Sequence, residues 1–362
     1  MKWFTAAICT FLVGSRPLLL CGEITEPVVA DFDFLKIAVN SKHVLAVETG
    51  MNFQPIWVLD IKSGEVVRRI DPDWKRVEDN YAFCAVAISP DGQTIASQCN
   101  DGAIRFWNLK SGKLFAKQKL PIRALFSNSS SLAYSSNGKF LATALPKKIV
   151  VCDGATGKQI AQFPHAGHSV AWTPDNKFLV SANGNSVSII EVETMAMVNH
   201  FSPKSKDFRT ISSICVSSDG KLIAVGTQWQ GVVVFDSATG KENARMNRHR
   251  DCGEVMFSPD SKFLTAVRQR SPIICVWDMH KRKQPVILGP HQKNITDCGF
   301  ASFRNSLVVA DNSQTITLWD WQKETIIWET TLPKLEVPRE KGRELSRFQS
   351  NRDNVLRFLE TD

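Results

Sequence analysis

Apolar residues in this chain fall in short runs, and the polar turns between the runs recur. An apolar run is followed by Ser-Pro-Asp-Gly or a relative, and then by a new apolar run. The copies are Ser89-Pro90-Asp91-Gly92, Ser135-Ser136-Asn137-Gly138, Thr173-Pro174-Asp175-Asn176, Ser217-Ser218-Asp219-Gly220 and Ser258-Pro259-Asp260-Ser261. Degenerate copies sit near Asn40-Ser41-Lys42 and at Ala301-Ser302-Phe303-Arg304. A second phrase follows each turn: a strand-like run ending in a bulky residue and an acid or amide. It reads Leu59-Asp60, Trp107-Asn108, Cys152-Asp153, Ile190-Glu191, Phe235-Asp236, Trp277-Asp278 and Trp319-Asp320. Both phrases keep one order through seven units, so the chain is a repeat.

Each unit predicts four short strands. In the second they are Ala85–Ser89, Thr94–Gln98, Ala103–Asn108 and Leu114–Lys119. The turn between the first two has a mechanism: Pro sets φ, Asp caps the local backbone and Gly takes positive φ. The runs are rich in Val, Ile, Phe and Trp, which suit a pleated surface. One four-stranded sheet alone would leave apolar surface wet, so the units must stack face to face. Radial stacking closes the series and leaves only short edges. The expected fold is all-β, a seven-bladed β-propeller of four-stranded antiparallel blades.

The chain resembles the WD-repeat (WD40-type) propellers over about Val28 to Leu332. The resemblance is carried by DGAIRFWN at Asp101–Asn108, ICVWD at Ile274–Asp278 and ITLWD at Ile316–Asp320. The Gly-His pair that opens a repeat in that family survives as Gly167-His168 and is echoed by Gly289-Pro290-His291. The family's His–Ser–Asp–Trp tetrad is therefore mostly incomplete. The last blade needs an outer strand, and either Thr325–Leu332 or Val28–Phe34 offers one.

The ends differ from the repeat. Lys2 followed by the uncharged stretch Trp3–Gly14 suits a signal-peptide core and is too short to span a bilayer. Residues 1–22 are thus expected to be an export signal, with cleavage after Ser15 or Gly22, and residues 28–332 to be the propeller. Residues 333–362 form a charged tail in which Ser350 and Asp353 are placed to start a short helix. Export implies a periplasmic or secreted protein; a retained N-terminus implies a cytoplasmic one.

Composition narrows the chemistry. The 362 residues carry 44 Lys+Arg against 36 Asp+Glu, a formal charge of +8 with no basic run of five. That is a soluble surface rather than a nucleic-acid footprint. Nine scattered Cys do not make a disulfide scaffold. Cys84, Cys99, Cys152, Cys215, Cys275 and Cys298 fall in predicted strands and read as small buried hydrophobes. There is no Walker A loop, no nucleophile elbow, no H-E-x-x-H and no C-x-x-C. No cofactor, metal or catalytic set is expected. His165 and His168 are spaced as a metal pair, but His168 is better explained as the blade's own Gly-His residue.

The repeat also locates a partner face. The loop between second and third strands falls ten residues past each turn acid, at Asp101, Lys147, Asn185, Trp229, Arg270 and about Gln314. Equivalent loops share one face, so with Lys148 and Arg268 these residues should ring one mouth of the channel. A Trp among cations is the composition of a binding hot spot and suits an acidic protein or peptide. The expected function is a non-catalytic protein- or peptide-binding scaffold, monomeric. Two rivals remain: an exported propeller hydrolase or lyase recruiting Asp101, His200 or Arg270, and an intracellular WD-type adaptor.

Overall fold

The computed structural model describes residues 35–333 apart from 50–53, 73–82, 121–130, 146, 165–166, 203–209, 228–230, 247–251, 269–270, 282–283, 292 and 302–305. Among the described residues there are 28 strands and no helix. Blade 1 is β1 (Leu35–Val39), β2 (His43–Glu48), β3 (Ile56–Asp60) and β4 (Val66–Ile70). Blade 2 is β5 (Phe83–Ile88), β6 (Thr94–Cys99), β7 (Ala103–Asn108) and β8 (Leu114–Lys119). Blade 3 is β9 (Leu132–Tyr134), β10 (Phe140–Leu145), β11 (Lys148–Asp153) and β12 (Gln159–Phe163). Blade 4 is β13 (Ser169–Trp172), β14 (Phe178–Asn183), β15 (Ser186–Glu191) and β16 (Met197–Phe201). Blade 5 is β17 (Ile211–Val216), β18 (Leu222–Thr227), β19 (Gly231–Asp236) and β20 (Glu242–Met246). Blade 6 is β21 (Cys252–Phe257), β22 (Phe263–Arg268), β23 (Ile274–Asp278) and β24 (Val286–Leu288). Blade 7 is β25 (Ile295–Phe300), β26 (Ser306–Asp311), β27 (Thr315–Asp320) and β28 (Thr325–Thr331).

Every blade is an antiparallel meander with its strands in chain order. The first strands of successive blades pack on one another, and β25 packs on β1, so they close a ring. Seven apolar clusters fill the seven gaps between blades; the cluster joining blades 7 and 1 holds Leu35, Ile37, Leu59, Val308, Ile316 and Leu318. This is the face-to-face burial that one sheet alone cannot supply.

The recurrent turn works as its residues require. Ser89 Oγ accepts the Thr94 N–H at 2.9 Å and donates to Asp91, whose carboxylate accepts the Gln93 N–H at 3.0 Å. Those bonds hold the Asp91 carboxyl below its ordinary range. Ser135–Asn137, Thr173–Asp175, Ser217–Asp219 and Ser258–Asp260 repeat the arrangement. In blade 1 Asn40 alone does the capping, accepting the N–H groups of Lys42 and His43. The acids that end the third strands cap the next turn in the same way; Asp60 Oδ1 accepts from Lys62 and Ser63.

Ring closure uses no strand exchange among the described residues. Of the two outer strands open to blade 7, Thr325–Thr331 takes the place beside β27; Val28–Phe34 lies outside the described residues, as do the signal-like segment and the tail helix. The junction with blade 1 is pinned at its perimeter. Trp328 Nε1 donates to the Ile61 carbonyl at 3.0 Å and Thr330 Oγ1 to the Gly64 carbonyl at 2.7 Å. At the channel side Thr296 Oγ1 donates to the Leu35 carbonyl at 2.8 Å.

Candidate functional site

The described second-to-third-strand loops, such as those after β6, β14 and β26, lead out of equivalent strands and so share one mouth of the ring. Lys147 and Arg268 are exposed on it. Lys148 is half-buried, and its ammonium donates to Gln162 Oε1 at 3.0 Å. Asn183 and Asn185 are exposed around Gly184. Trp229 and Arg270 lie outside the described residues.

Asp101 plays a different part from the one its loop position implies. Its side chain is only 9% exposed, and it lies 2.6 Å from Arg105 Nη2 and 3.4 Å from Lys117 Nζ. It also accepts the Ala103 N–H at 3.0 Å. Burial works to raise its pKa, but Arg105 and Lys117 outweigh burial and hold the carboxyl below its ordinary value. Asp101 therefore fastens its own loop. The cause was hidden because Arg105 stands inside β7, where a strand pattern does not advertise a buried cation.

The channel wall holds a charged group that the repeat reading missed. Lys36 of blade 1 reaches past blade 7 to Glu254 of blade 6, with Nζ 2.8 Å from Oε1. Asp297 of blade 7 lies between them, 4.0 Å from the same ammonium. Its Oδ2 accepts the Ile37 N–H at 2.9 Å and its Oδ1 accepts the Cys298 N–H. Burial raises Asp297 to about 6 despite Lys36. Burial opposes the Lys36 charge, but Glu254 and Asp297 overcome it and raise the ammonium above its usual range. The three sit near the ringed mouth: Cys252 pairs with Arg268, and Asp297 pairs with Ala310, next to Asp311 at the mouth end of β26. Local bulges aim them, since the register of β21 shifts between Cys252 and Val255 and that of β25 between Ile295 and Asp297. The one signal in sequence is a charge placed within an otherwise apolar or small-residue strand.

No group of three or more His, Cys, Asp or Glu among the described residues is arranged to hold a metal. The seven described cysteines are free. Desolvation pushes the thiols of Cys99, Cys152 and Cys215 up to about 12, the opposite of a reactive thiolate. His200 and Asp101 are not brought together. His200 stands exposed on β16, the outermost strand of blade 4, bonded to Ser188, while Asp101 is in blade 2.

One pair separates blade 2 from the rest. Trp107 Nε1 donates to Ser97 Oγ at 2.9 Å across β6 and β7, and both are buried. The equivalent register elsewhere is incomplete. Blade 4 keeps Ser181 but has Ile190 for the Trp; blade 7 keeps Trp319 but has Val309 for the Ser. Ser181 Oγ and Trp319 Nε1 are both buried without a partner. A family model described as WD domain, G-beta repeat matches residues 78–108, which end on that Trp107-Asn108. The chain is a WD-repeat propeller. At the same register blades 1, 3, 5 and 6 have Ala46 with Leu59, Thr143 with Cys152, Val225 with Phe235 and Ala266 with Trp277, so none repeats the Ser–Trp pair.

Curated relatives agree. The WD repeat-containing protein 91 homolog of Dictyostelium discoideum is 24% identical over 279 residues, 72% of this chain and 35% of its own. SEC12-like protein 2 of Arabidopsis thaliana is 26% identical over 207 residues, 53% and 51%. WD repeat-containing protein 1 of Xenopus tropicalis is 34% identical over 109 residues, 28% and 18%. The chain spans about a third to a half of the length of the first two. Among solved structures, Kuenenia stuttgartiensis hydrazine synthase is similar at TM-score 0.57 and 15% identity, covering 66% of this chain and 76% of that one. That likeness concerns the fold alone.

The orphaned indole of this WD-repeat chain gives a direct test. Val309→Thr places a hydroxyl where blade 2 has Ser97, with nearly the shape of valine. Giving the buried N–H an acceptor is expected to stabilise the protein by about 1 kcal/mol. Denaturant melts check this, and an unchanged or lower midpoint refutes it.

Proposed function

We propose that this propeller is a non-catalytic scaffold that binds a protein or peptide across the mouth ringed by its second-to-third-strand loops. What supports the reading is that Lys147 of blade 3, next to Lys148, and Arg268 of blade 6 are exposed at second-to-third-strand loops. Cations on a fixed ring suit a carboxylate-bearing partner, to which Arg offers paired donors. Trp229 and Arg270 belong to the same proposal by their place in the repeat. Asp101 does not, because its oxygens serve Arg105 and Ala103. WD-repeat relatives support a scaffold role in general terms; hydrazine synthase, by its name an enzyme, is a reminder that the propeller alone does not exclude catalysis. The dispersed positions of Asp101 and His200 favour the scaffold over the hydrolase or lyase reading.

The test is affinity capture with the full chain, comparing wild type with Lys147→Glu/Lys148→Glu/Arg268→Glu/Arg270→Glu. Partner recovery is expected to fall at least about tenfold, a loss of roughly 1.4 kcal/mol, with an unchanged melting temperature. Undiminished capture rejects this face. Turnover of a peptide, glycan or phosphoester that Arg270→Ala abolishes rejects the scaffold reading itself. The export reading stands as a separate proposal: the native chain begins near Arg16 or Glu23 in extracytoplasmic fractions. N-terminal sequencing of cytosolic and extracytoplasmic protein decides it, and a chain retaining Met1 in the cytosol favours the adaptor reading.

A further inference from the structure

Exposed large apolar side chains are concentrated on the outer strands of the blades and the turns leading into them. They include Val66 and Val67 on β4, Leu114 and Phe115 on β8, Val198 on β16 and Ile326 and Ile327 on β28. The outer strand slips register against its neighbour at its start, between Phe106 and Trp107 in blade 2, so two side chains stand where one would pair. The result is a perimeter dotted with apolar pairs near the turns opposite the ringed mouth. Charge separates one of these edges from the others.

In blade 2 the stretch from Leu109 to Leu120 reads LKSGKLFAKQKL, with four lysines and no acid. Lys110, Lys113, Lys117 and Lys119 are all exposed. Leu114 and Phe115 between them are 42% and 48% exposed. Blade 5 has Glu242 in the register place of Leu114, and Arg245 already binds it at 2.7 Å. In blade 7 the outer strand carries Glu329 and turns Trp328 onto blade 1. Among the described residues no strand pairs with β8 beyond β7.

We propose that the outer edge of β8 is a docking strand for an extended partner segment in which acidic and apolar residues alternate. The open edge offers main-chain donors and acceptors to an added strand. Leu114 and Phe115 would cover the segment's apolar side chains, and Lys110, Lys113 and Lys119 would meet its carboxylates, Lys117 being paired with Asp101. The same lysines repel a second copy of this edge, since like charges placed opposite one another across a ladder are unfavourable. The edge is thus closed to itself and open to an acid. The inference rests on the scaffold reading but places a contact on a different surface from the mouth.

The test uses the full chain and a fluorescent peptide of roughly ten residues, the length of a long strand, alternating glutamate with leucine or phenylalanine. Two control peptides carry lysine for glutamate, or prolines at the centre to remove ladder donors. Anisotropy is expected to show saturable binding of the acidic peptide only, weakening as salt rises. Leu114→Glu/Phe115→Glu and, separately, Lys113→Glu/Lys119→Glu are each expected to weaken it at least about tenfold. All four positions are exposed, and an unchanged melting temperature confirms that the variants fold. Lys147→Glu/Arg268→Glu separates the mouth from the edge: peptide binding lost in this variant but kept in the edge variants overturns the proposal. The proposal is overturned if the acidic peptide does not bind, if the proline or lysine peptide binds as well, or if the edge variants bind normally. It is also overturned if sedimentation shows a dimer that Phe115→Glu dissolves, or if anionic vesicles bind where the peptide does not. A failure here combined with partner capture that depends on the mouth leaves the scaffold reading standing; loss of both removes it.

Discussion

Gly64→Ala is expected to destabilise the protein by about 2–5 kcal/mol, the sum of a left-handed backbone penalty and an overpacking penalty. Gly64 has φ of +73°, in the turn between β3 and β4. A β-carbon there would lie 2.5 Å from Cδ2 and 2.6 Å from Cε3 of Trp328. The indole cannot swing away freely, because its N–H is bonded to Ile61, and the neighbouring Thr330 hydroxyl is bonded to Gly64 itself. The clash therefore falls on the junction that closes the ring. Gly184→Ala is the control. That residue also has positive φ, +56°, but nothing lies within 4 Å of its added carbon. It should cost only the backbone part, about 1–2 kcal/mol. Chemical denaturation of both variants measures the difference. Equal losses would mean that the blade 7–blade 1 contact carries no special weight, and recovery in Gly64→Ala/Trp328→Leu would confirm the clash.

The legible part of this fold is the part that repeats. Ser-Pro-Asp-Gly announces itself because its hydrogen bonds are all local, within five residues of Ser89. The second-unit strands were placed to within two residues of β5, β6, β7 and β8. The same spacing locates the second-to-third-strand loops, and Lys147 and Arg268 are exposed at those of blades 3 and 6. What was not legible depends on contacts between blades. Lys36 and Glu254 are 218 residues apart, and neither lies in a motif. Asp101 looked like a free loop acid because its partner lies four residues on, within a buried strand. The missing Ser in blade 7 is visible as Val309, but only the strand register shows that Trp319 needed it. Local hydrogen bonds are written in consecutive residues; inter-blade electrostatics are written in the ring.

That ring chemistry makes the second large prediction. Lys36→Met is expected to cost about 2–3 kcal/mol at pH 7.5, somewhat below the cost of breaking a fully buried pair because the ammonium is partly exposed. The loss should shrink to below about 1 kcal/mol at pH 5. The sign follows from Asp297. Its folded pKa is raised to about 6, above its ordinary value, so the folded state holds the proton more tightly than the unfolded one. For such an acid, stability is greatest at low pH and is lost as pH rises through the interval between the two values. In the wild type Lys36 offsets that loss, since its own raised pKa stabilises the fold throughout the neutral range. Removing the ammonium leaves Asp297 and Glu254 facing each other, and Asp297, with an 11% exposed side chain, is pushed still higher. At pH 7.5 the variant must bury an unpaired carboxylate; at pH 5 it buries a neutral acid. Denaturant melts of wild type and Lys36→Met at both pH values read the effect as a difference of differences. Equal losses at pH 5 and pH 7.5 would show that Lys36 acts only through its packed stem. A loss that grows on acidification would reverse the assignment of Asp297 as the group whose charge Lys36 holds in the channel wall.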